Sequence, residues 1–175
     1  MSVPSIAADD HRAYMRYALA LAAQSPPKPT NFCVGAVLVS SATNTILSTG
    51  YTQELPGNTH AEQCCFMKFA ARHQVPEERI GEVLPKHAVL YTTMEPCAKR
   101  LSENVPCVER ILRTTRAGEG SGIEKVYSGV REPETFVGEN AGRTKLEEAG
   151  IECVLVEGLE GEILEVATAG HTKHE

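Results

Sequence analysis

The sequence has neither an excess of basic residues nor a long apolar run, and these two absences exclude whole classes of protein. Its 17 Lys and Arg residues are outnumbered by 23 Asp and Glu residues. Because nucleic-acid-binding proteins neutralise phosphates with basic side chains, we expect no nucleic-acid partner. No run of about 18 apolar residues occurs, and the N-terminus lacks the basic and apolar segments of a signal peptide. We therefore expect a soluble, cytoplasmic protein without a membrane partner.

Internal repeats and low-complexity blocks are also absent. The 175 residues, of which 42% are hydrophobic, have the size and composition of one globular domain, so we predict a single domain over residues 1–175. Six cysteines are present. In a reducing compartment, cysteines are core thiols, metal ligands or nucleophiles more often than disulfides, so we expect free thiols.

Helical and extended patterns alternate along the chain after an initial hairpin. Apolar residues recur at helical spacing from Asp9 to Gln24, with Asp9 or Asp10 as the cap. The other predicted segments are strands at 32–40, 45–51, 88–93, 125–130 and 151–157, and helices at 60–72, from 106, at 140–149 and from 159. This alternation predicts an α/β fold, a three-layer α/β/α sandwich with a mixed five-stranded sheet.

The stretch "NTHAEQCCF" (residues 58–66) allows two interpretations. Thr59 followed three residues later by Glu62 is the pattern of a helix capping box, in which Glu62 is structural. Alternatively, His60 and Glu62 form the H-x-E pattern of a zinc ligand followed by a proton shuttle. The rest of the sequence favours the second interpretation, because two further candidate ligands follow.

These candidates are Cys97 and Cys107, each directly after a proline. Catalytic zinc takes three N or S ligands from the protein and leaves one position for water, so His60, Cys97 and Cys107 form a complete set. Glu62, beside the metal, would carry a proton from water to a leaving nitrogen. Cys64 lies one turn beyond His60 and could compete for the metal. The cysteines outside the set fit apolar helix or strand patterns and are interpreted as core residues: Cys33, Cys64, Cys65 and Cys153.

Together, these motifs resemble the cytidine-deaminase-like superfamily, whose fold agrees with the predicted sandwich. Nine residues separate Cys97 from Cys107, whereas the nucleoside, dCMP and tRNA adenosine branches usually carry P-C-x-x-C. The long insert in "TMEPCAKRLSENVPC" resembles the riboflavin-pathway pyrimidine deaminases, and their fungal members most. "TNFCVGAVLVS" and "GVREPETFVGENAGRTKLEEAGIEC" are similar to further family segments, so the resemblance extends over about residues 9–166.

The resemblance implies zinc as the cofactor, held by the three ligands above, with Glu62 as the acid and base. It also implies that Asn31 and Ala61 bind a pyrimidine. The implied substrate is 2,5-diamino-6-ribitylamino-4(3H)-pyrimidinone 5′-phosphate or its ribosylamino form, and the implied assembly is a homodimer. The ribitylamino form is favoured because, in the fungal group, a separate protein would reduce the ribosyl group first. Bacterial relatives carry a histidine where this chain has Thr52, so substrate contacts there are expected to differ.

The insert between the two cysteines also predicts substrate contacts. Lys99, Arg100, Ser102 and Asn104 lie between two candidate zinc ligands, so this loop is expected to border the site. Since an acidic protein needs local positive charge to hold a phosphate, we expect Lys99 or Arg100 to contact the 5′-phosphate; alternatively, both are solvated cations. Two other functions stay open: a deaminase of another small aminopyrimidine or nucleoside, and a non-catalytic zinc-binding partner subunit.

Overall fold

The computed structural model describes residues 2–131 and 141–172. Within these ranges the strands are β1 (Gly35–Ser40), β2 (Thr45–Tyr51), β3 (Ala88–Met94), β4 (Ile123–Val130) and β5 (Glu152–Leu155). The α-helices are α1 (His11–Ala22), α2 (Ala61–Arg72), α3 (Cys107–Thr114), α4 (Ala141–Glu148) and α5 (Glu160–Ala167). Short 3₁₀ helices span Glu77–Glu82 and Thr115–Ala117, and neither was predicted from the sequence.

The strands form one mixed sheet in the order β2-β1-β3-β4-β5. Strand β1 is antiparallel to both β2 and β3, whereas β3, β4 and β5 are parallel to one another. The start of β1 therefore lies beside the carboxyl end of β3, as the pairing of Ala36 with Thr92 shows. Ligand sites in such sheets form where the carboxyl ends of strands meet helix N-termini, so this end of the sheet is the expected location of a site.

Helices cover both faces of the sheet and bury a separate apolar cluster on each. On one face, Met15 of α1 and Ile163 of α5 belong to a cluster with the strand side chains beneath them. On the other face, Phe66 of α2, Ile111 of α3 and Leu146 of α4 form the second cluster. Burying each of these side chains contributes about 1.5–3 kcal/mol, so the two clusters hold the helices against the sheet. The predicted three-layer α/β/α sandwich with a mixed five-stranded sheet is confirmed.

Strand β1 begins at Gly35, three residues later than predicted. The preceding backbone groups are used by other partners, because the Cys33 N–H donates to the Ala167 carbonyl and the Val34 N–H to the Thr52 hydroxyl, both at 3.0 Å. Cys33 is therefore buried as predicted, but in the segment before the strand.

The predicted helix ends agree closely with the structure where it describes them. Asp10 caps α1, accepting a hydrogen bond of 3.0 Å from a first-turn N–H. After α4, Gly150 adopts φ +84° and the following N–H bonds back to Leu146, which terminates the helix as predicted. The predicted start of this helix at Asn140, and the acidic-proline segment before it, lie outside the described residues. No helix in the described parts of the chain is both long and apolar enough to span a membrane.

Candidate metal centre and active site

The N-terminus of α2 is held against β2 by very close backbone packing. A Cβ atom on Gly50 would lie 2.2 Å from the Ala61 carbonyl oxygen and 2.6 Å from the Cys65 nitrogen, so only glycine permits this approach. The Ser48 hydroxyl adds a hydrogen bond of 2.7 Å to the Cys65 carbonyl. The first turn of α2 is thereby fixed at the end of the sheet where β3 terminates.

The capping arrangement at this helix start differs from the predicted one. The N-cap residue is His60, and its backbone N–H donates to the Gln63 side-chain oxygen at 3.4 Å. The Thr59 hydroxyl donates instead to the Leu55 carbonyl at 2.6 Å. The interpretation of Thr59 and Glu62 as a capping box is therefore wrong, because the helix begins one residue later and Gln63 takes the reciprocal position.

The three predicted metal ligands come together at this helix end. His60 Nδ1 lies 3.5 Å from Cys97 Sγ and 3.4 Å from Cys107 Sγ, and the three ligand atoms lie within 4.8 Å of one another. Zinc binds sulfur at about 2.3 Å and nitrogen at about 2.0–2.1 Å with tetrahedral angles, which places S and N ligands about 3.5 Å apart. The donor set and its spacing therefore fit a zinc ion.

Glu62 lies beside this cluster and away from solvent, with only 3% of its surface exposed. One carboxylate oxygen is 3.2 Å from the Thr92 hydroxyl and the other is 3.4 Å from Cys107 Sγ. Burial raises the pKa of Glu62 above its ordinary value. A carboxyl group with a raised pKa, beside three candidate metal ligands, has the properties of a proton carrier.

The two thiols are hydrogen-bonded to each other and to a helix end. Cys107 is the first residue of α3, and its backbone N–H donates to Cys97 Sγ at 3.4 Å. Hydrogen bonding from Cys107 lowers the pKa of Cys97 to about 4, and the same contact raises the pKa of Cys107, so in the metal-free chain Cys97 is the thiolate of the pair. Ahead of Cys107, the Val105 carbonyl accepts a hydrogen bond of 3.2 Å from Arg110, whose guanidinium also pairs with Glu77. Both side chains of this ion pair are largely buried, so the backbone that leads into Cys107 is held in place.

The insert between the two cysteines is joined to α2 by Arg100. Its guanidinium donates to the Gln63 side-chain oxygen at 3.1 Å and to the Asn58 carbonyl at 2.6 Å. Asn104 adds a longer hydrogen bond of 3.4 Å to the Gly57 carbonyl. Arg100 thus contacts the same Gln63 oxygen that receives the His60 N–H, which links the insert to a candidate metal ligand.

The other insert residues are placed differently. Lys99 is exposed and has no hydrogen bond or ion pair among the described residues. The Ser102 hydroxyl accepts a hydrogen bond of 3.4 Å from the Asn104 N–H, within the insert itself. Of the two cations predicted to meet a phosphate, Arg100 is engaged in holding the loop and Lys99 is available.

Asn31 and Ala61 lie at the same end of the sheet as the cluster. Asn31 precedes β1, and its side-chain oxygen is buried without a hydrogen-bond partner in the part of the chain that the structure describes. Thr52 fixes this segment, because its hydroxyl donates to the Phe32 carbonyl at 2.9 Å and accepts from the Val34 N–H. The Ala61 methyl group is buried in the core, so a ligand contact by this residue must come from its backbone.

Several contributors to the site were missed in the sequence. Gln63, Thr92 and Arg110 have no motif of their own, although a polar residue three positions after a helix cap could have pointed to Gln63. The remaining cysteines do not join the cluster. The prediction that they are core thiols is confirmed for Cys64 and Cys65, which are fully buried on the inner side of α2.

A His/Cys/Cys cluster at helix N-termini beside a buried glutamate is the arrangement of the zinc-dependent deaminases. A family model described as the cytidine and deoxycytidylate deaminase zinc-binding region matches residues 8–119, and the chain belongs to this family. Within it, the chain is similar to the Rib2 deaminase of Aspergillus oryzae, whose C-terminal deletion mutant at pH 4.6 is 56% identical. That likeness covers 92% of each chain with a TM-score of 0.85. The predicted resemblance to the riboflavin-pathway pyrimidine deaminases is confirmed.

Two further relatives agree with this assignment. The diaminohydroxyphosphoribosylamino-pyrimidine deaminase of Schizosaccharomyces pombe is 37% identical over 162 residues, which are 93% of this chain and 36% of the relative. The riboflavin biosynthesis protein RibD of Bacillus amyloliquefaciens is 34% identical over 143 residues, 79% of this chain and 31% of the relative. The chain thus spans about a third of the length of the curated relatives it matches.

Proposed function

We propose that the chain is a zinc-dependent hydrolase that deaminates 2,5-diamino-6-ribitylamino-4(3H)-pyrimidinone 5′-phosphate in riboflavin biosynthesis. The observation that carries this proposal is the meeting of His60, Cys97 and Cys107 within 4.8 Å beside the buried Glu62 carboxyl group. The solved structure of A. oryzae Rib2 deaminase in complex with DARIPP, 55% identical to this chain, supports a substrate of this class.

The metal would be zinc, held by His60 Nδ1 and the Sγ atoms of Cys97 and Cys107. When bound, the zinc ion would act as a Lewis acid that makes water nucleophilic at neutral pH. Cys107 is buried at the start of α3 and His60 is half-buried at the start of α2, and the packing of these helix ends keeps the donor atoms in place. The amino group at the pyrimidine C2 is replaced by the oxygen of one water molecule, and ammonia leaves.

Glu62 carries the proton in this reaction. Its carboxylate takes a proton from the attacking water and returns it to the leaving nitrogen. The other proton of the water ends on the adjacent ring nitrogen, and the C–N bond breaks as C2 becomes a carbonyl and ammonia leaves. The Thr92 hydroxyl, 3.2 Å from one carboxylate oxygen, orients the group, and burial keeps bulk water from exchanging the proton.

Substrate binding is assigned to groups around the cluster. The unpartnered Asn31 oxygen accepts a hydrogen bond from the pyrimidine, and the Ala61 backbone faces the ring. Lys99 is the cation that meets the 5′-phosphate, because Arg100 is already bonded to Gln63 and Asn58. Ser102 and Asn104 border the opening on the insert side.

The decisive experiment offers the ribitylamino and ribosylamino pyrimidine phosphates separately to zinc-loaded protein and measures ammonia. We expect faster release from the ribitylamino compound and none with the Glu62→Ala variant. Equal rates on both compounds would overturn the ribityl assignment. Release from neither, with zinc bound, would favour another aminopyrimidine substrate or a non-catalytic zinc-binding subunit.

The domain organisation, the cellular location and the assembly of the protein complete the proposal. Residues 1–175 act as one domain, supported by helices that pack on both faces of one sheet. The protein works in the reducing cytoplasm, supported by six cysteines that are all free. It assembles as a homodimer, as its family resemblance implies, and light scattering of the purified protein tests this directly.

A further inference from the structure

The turn over residues 168–171, which follows α5, packs closely against the loop that leads into β1. The His171 N–H donates to the Thr168 carbonyl at 2.9 Å, which closes the turn. A Cβ atom on Gly170 would lie 2.2 Å from the Lys28 nitrogen, so only glycine permits this approach. The turn therefore holds a fixed position against the loop that carries Asn31.

The imidazole ring of His171 contacts two consecutive residues of that loop. Its Nε2 atom lies 2.8 Å from the Asn31 carbonyl oxygen, and its ring centre lies 4.8 Å from that of Phe32. A carbonyl oxygen only accepts hydrogen bonds, so Nε2 carries a hydrogen and donates it. The His171 side chain, half-buried in this contact, thus fixes the direction of the carbonyl at residue 31.

The neighbouring backbone is held by other parts of the chain. Thr52, at the end of β2, bonds to the residues on either side of Cys33. The Cys33 N–H itself donates to the Ala167 carbonyl at the end of α5, at 3.0 Å. Asn31 has a different set of contacts, because its N–H and its side-chain Nδ2 make hydrogen bonds of 3.5 Å within its own loop. The short bond from His171 is therefore the one that ties Asn31 to α5.

We propose that His171 is a positioning residue for the candidate active site and acts through Asn31. This role rests on the proposed function, in which Asn31 binds the pyrimidine. Loss of the His171 donor would leave the contacts of Thr52 and Ala167 in place and free residue 31, so that the pyrimidine meets a misplaced partner. A misplaced group of this kind weakens binding without altering the metal ligands or Glu62.

Two variants of His171 separate the donated hydrogen bond from the ring contact. His171→Phe keeps an aromatic ring beside Phe32 but removes the donor, and His171→Gln restores a donor on a side chain of similar reach. In zinc-loaded Glu62→Ala protein, calorimetry measures binding of the ribitylamino pyrimidine phosphate without turnover. We expect binding about three- to tenfold weaker with His171→Phe and a recovery with His171→Gln. The exposed His73→Phe is the matched control, because its ring lies 4.4 Å from that of Phe69, and it should leave binding unchanged.

A double-mutant cycle with Asn31→Ala distinguishes positioning from general stabilisation. If His171 acts through Asn31, then His171→Phe has no further effect on binding once the Asn31 side chain is gone. A role in stability alone would instead give the same loss in both backgrounds. The same loss in both backgrounds, or unchanged binding in His171→Phe, would overturn the proposal.

Nuclear magnetic relaxation of the free protein tests the same role without a substrate. We expect the order parameter of the Asn31 backbone N–H to fall from about 0.85 toward about 0.6 in His171→Phe and to stay unchanged in His73→Phe. An unchanged order parameter in His171→Phe would overturn the proposal whatever the substrate is. If the order parameter falls but the pyrimidine phosphate does not bind to the unmodified chain, the proposed function fails and the link between His171 and Asn31 stands.

Discussion

The candidate site is built from two regions that are held in very different ways. The start of α2 is pressed against β2 through Gly50, and it carries the buried Glu62 and the half-buried His60. The insert over residues 98–106 is largely exposed and is held by a few polar contacts, chiefly those of Arg100. The comparison teaches that the proposed proton transfer depends on core packing, whereas the proposed substrate selection depends on a loop that can change without disturbing that packing.

The largest effect should come from the buried region, through Glu62→Gln. The amide keeps the shape of the side chain but cannot carry a proton, so we expect kcat to fall about 10²- to 10⁴-fold. Zinc content should stay at one per chain, because Glu62 is not one of the three ligands. The exposed Glu82→Gln serves as the control and should keep full activity. Wild-type rates in the Glu62 variant would remove this residue from the mechanism.

The packing of the same region is tested by Gly50→Ala. Its added methyl group would meet the α2 backbone at 2.2 Å, and overpacking of this kind costs about 1–3 kcal/mol of unfolding free energy or more. Gly161→Ala is the matched control, because no atom lies within 4 Å of its new Cβ in α5. Chemical denaturation should show a loss for the first variant and no loss for the second. Similar stability in both would mean that α2 is not fixed by this contact.

A smaller effect is expected where the two regions join, at Arg100. Arg100→Ala removes the contact with the Gln63 oxygen that also receives the His60 N–H. Residues behind a metal ligand typically change metal affinity about 10- to 100-fold, and we expect the lower end here because the contact is partly exposed. Competition with a chromophoric chelator measures the zinc affinity. Arg116→Ala, on an exposed pair with Glu109, is the control. An unchanged zinc affinity would show that the insert does not influence His60.

The smallest effect should lie within the insert, at Lys99. Lys99→Ala should raise KM for the phosphorylated substrate several-fold to about tenfold and leave kcat unchanged, since the charge would act on the phosphate alone. The dephosphorylated substrate should show no difference between variant and wild type, which makes it the internal control. A fall in kcat instead of a rise in KM would place Lys99 in the chemistry.

The buried region was also the more predictable one. H-A-E, E-P-C and the second Pro-Cys lie at helix and strand ends, and hydrophobic periodicity places those ends to within a few residues. The identity of the N-cap residue of α2 was not predictable. The Thr59 hydroxyl donates to the Leu55 carbonyl in the preceding loop instead of capping the helix. This contact spans only four residues, but a threonine hydroxyl can bond to several nearby backbone groups, and the capping pattern does not say which one it takes.

The insert contacts could not be derived from the sequence for a related reason. Arg100 and Lys99 are adjacent cations with the same local pattern. Only the fold shows that Arg100 lies within hydrogen-bond distance of Gln63 and Asn58. The same holds for the late start of β1, where Thr52 replaces a strand partner. Long-range side-chain contacts decided each of these points.

The most direct test of the central claim is a zinc titration of the metal-free protein while ammonia release from the ribitylamino pyrimidine phosphate is measured. The account predicts that activity rises linearly and stops at one zinc per chain, and that the Cys107→Ser variant shows no such rise while Cys64→Ser behaves as wild type. Activity that survives complete zinc removal, or one bound zinc per chain with no ammonia formed, would contradict it.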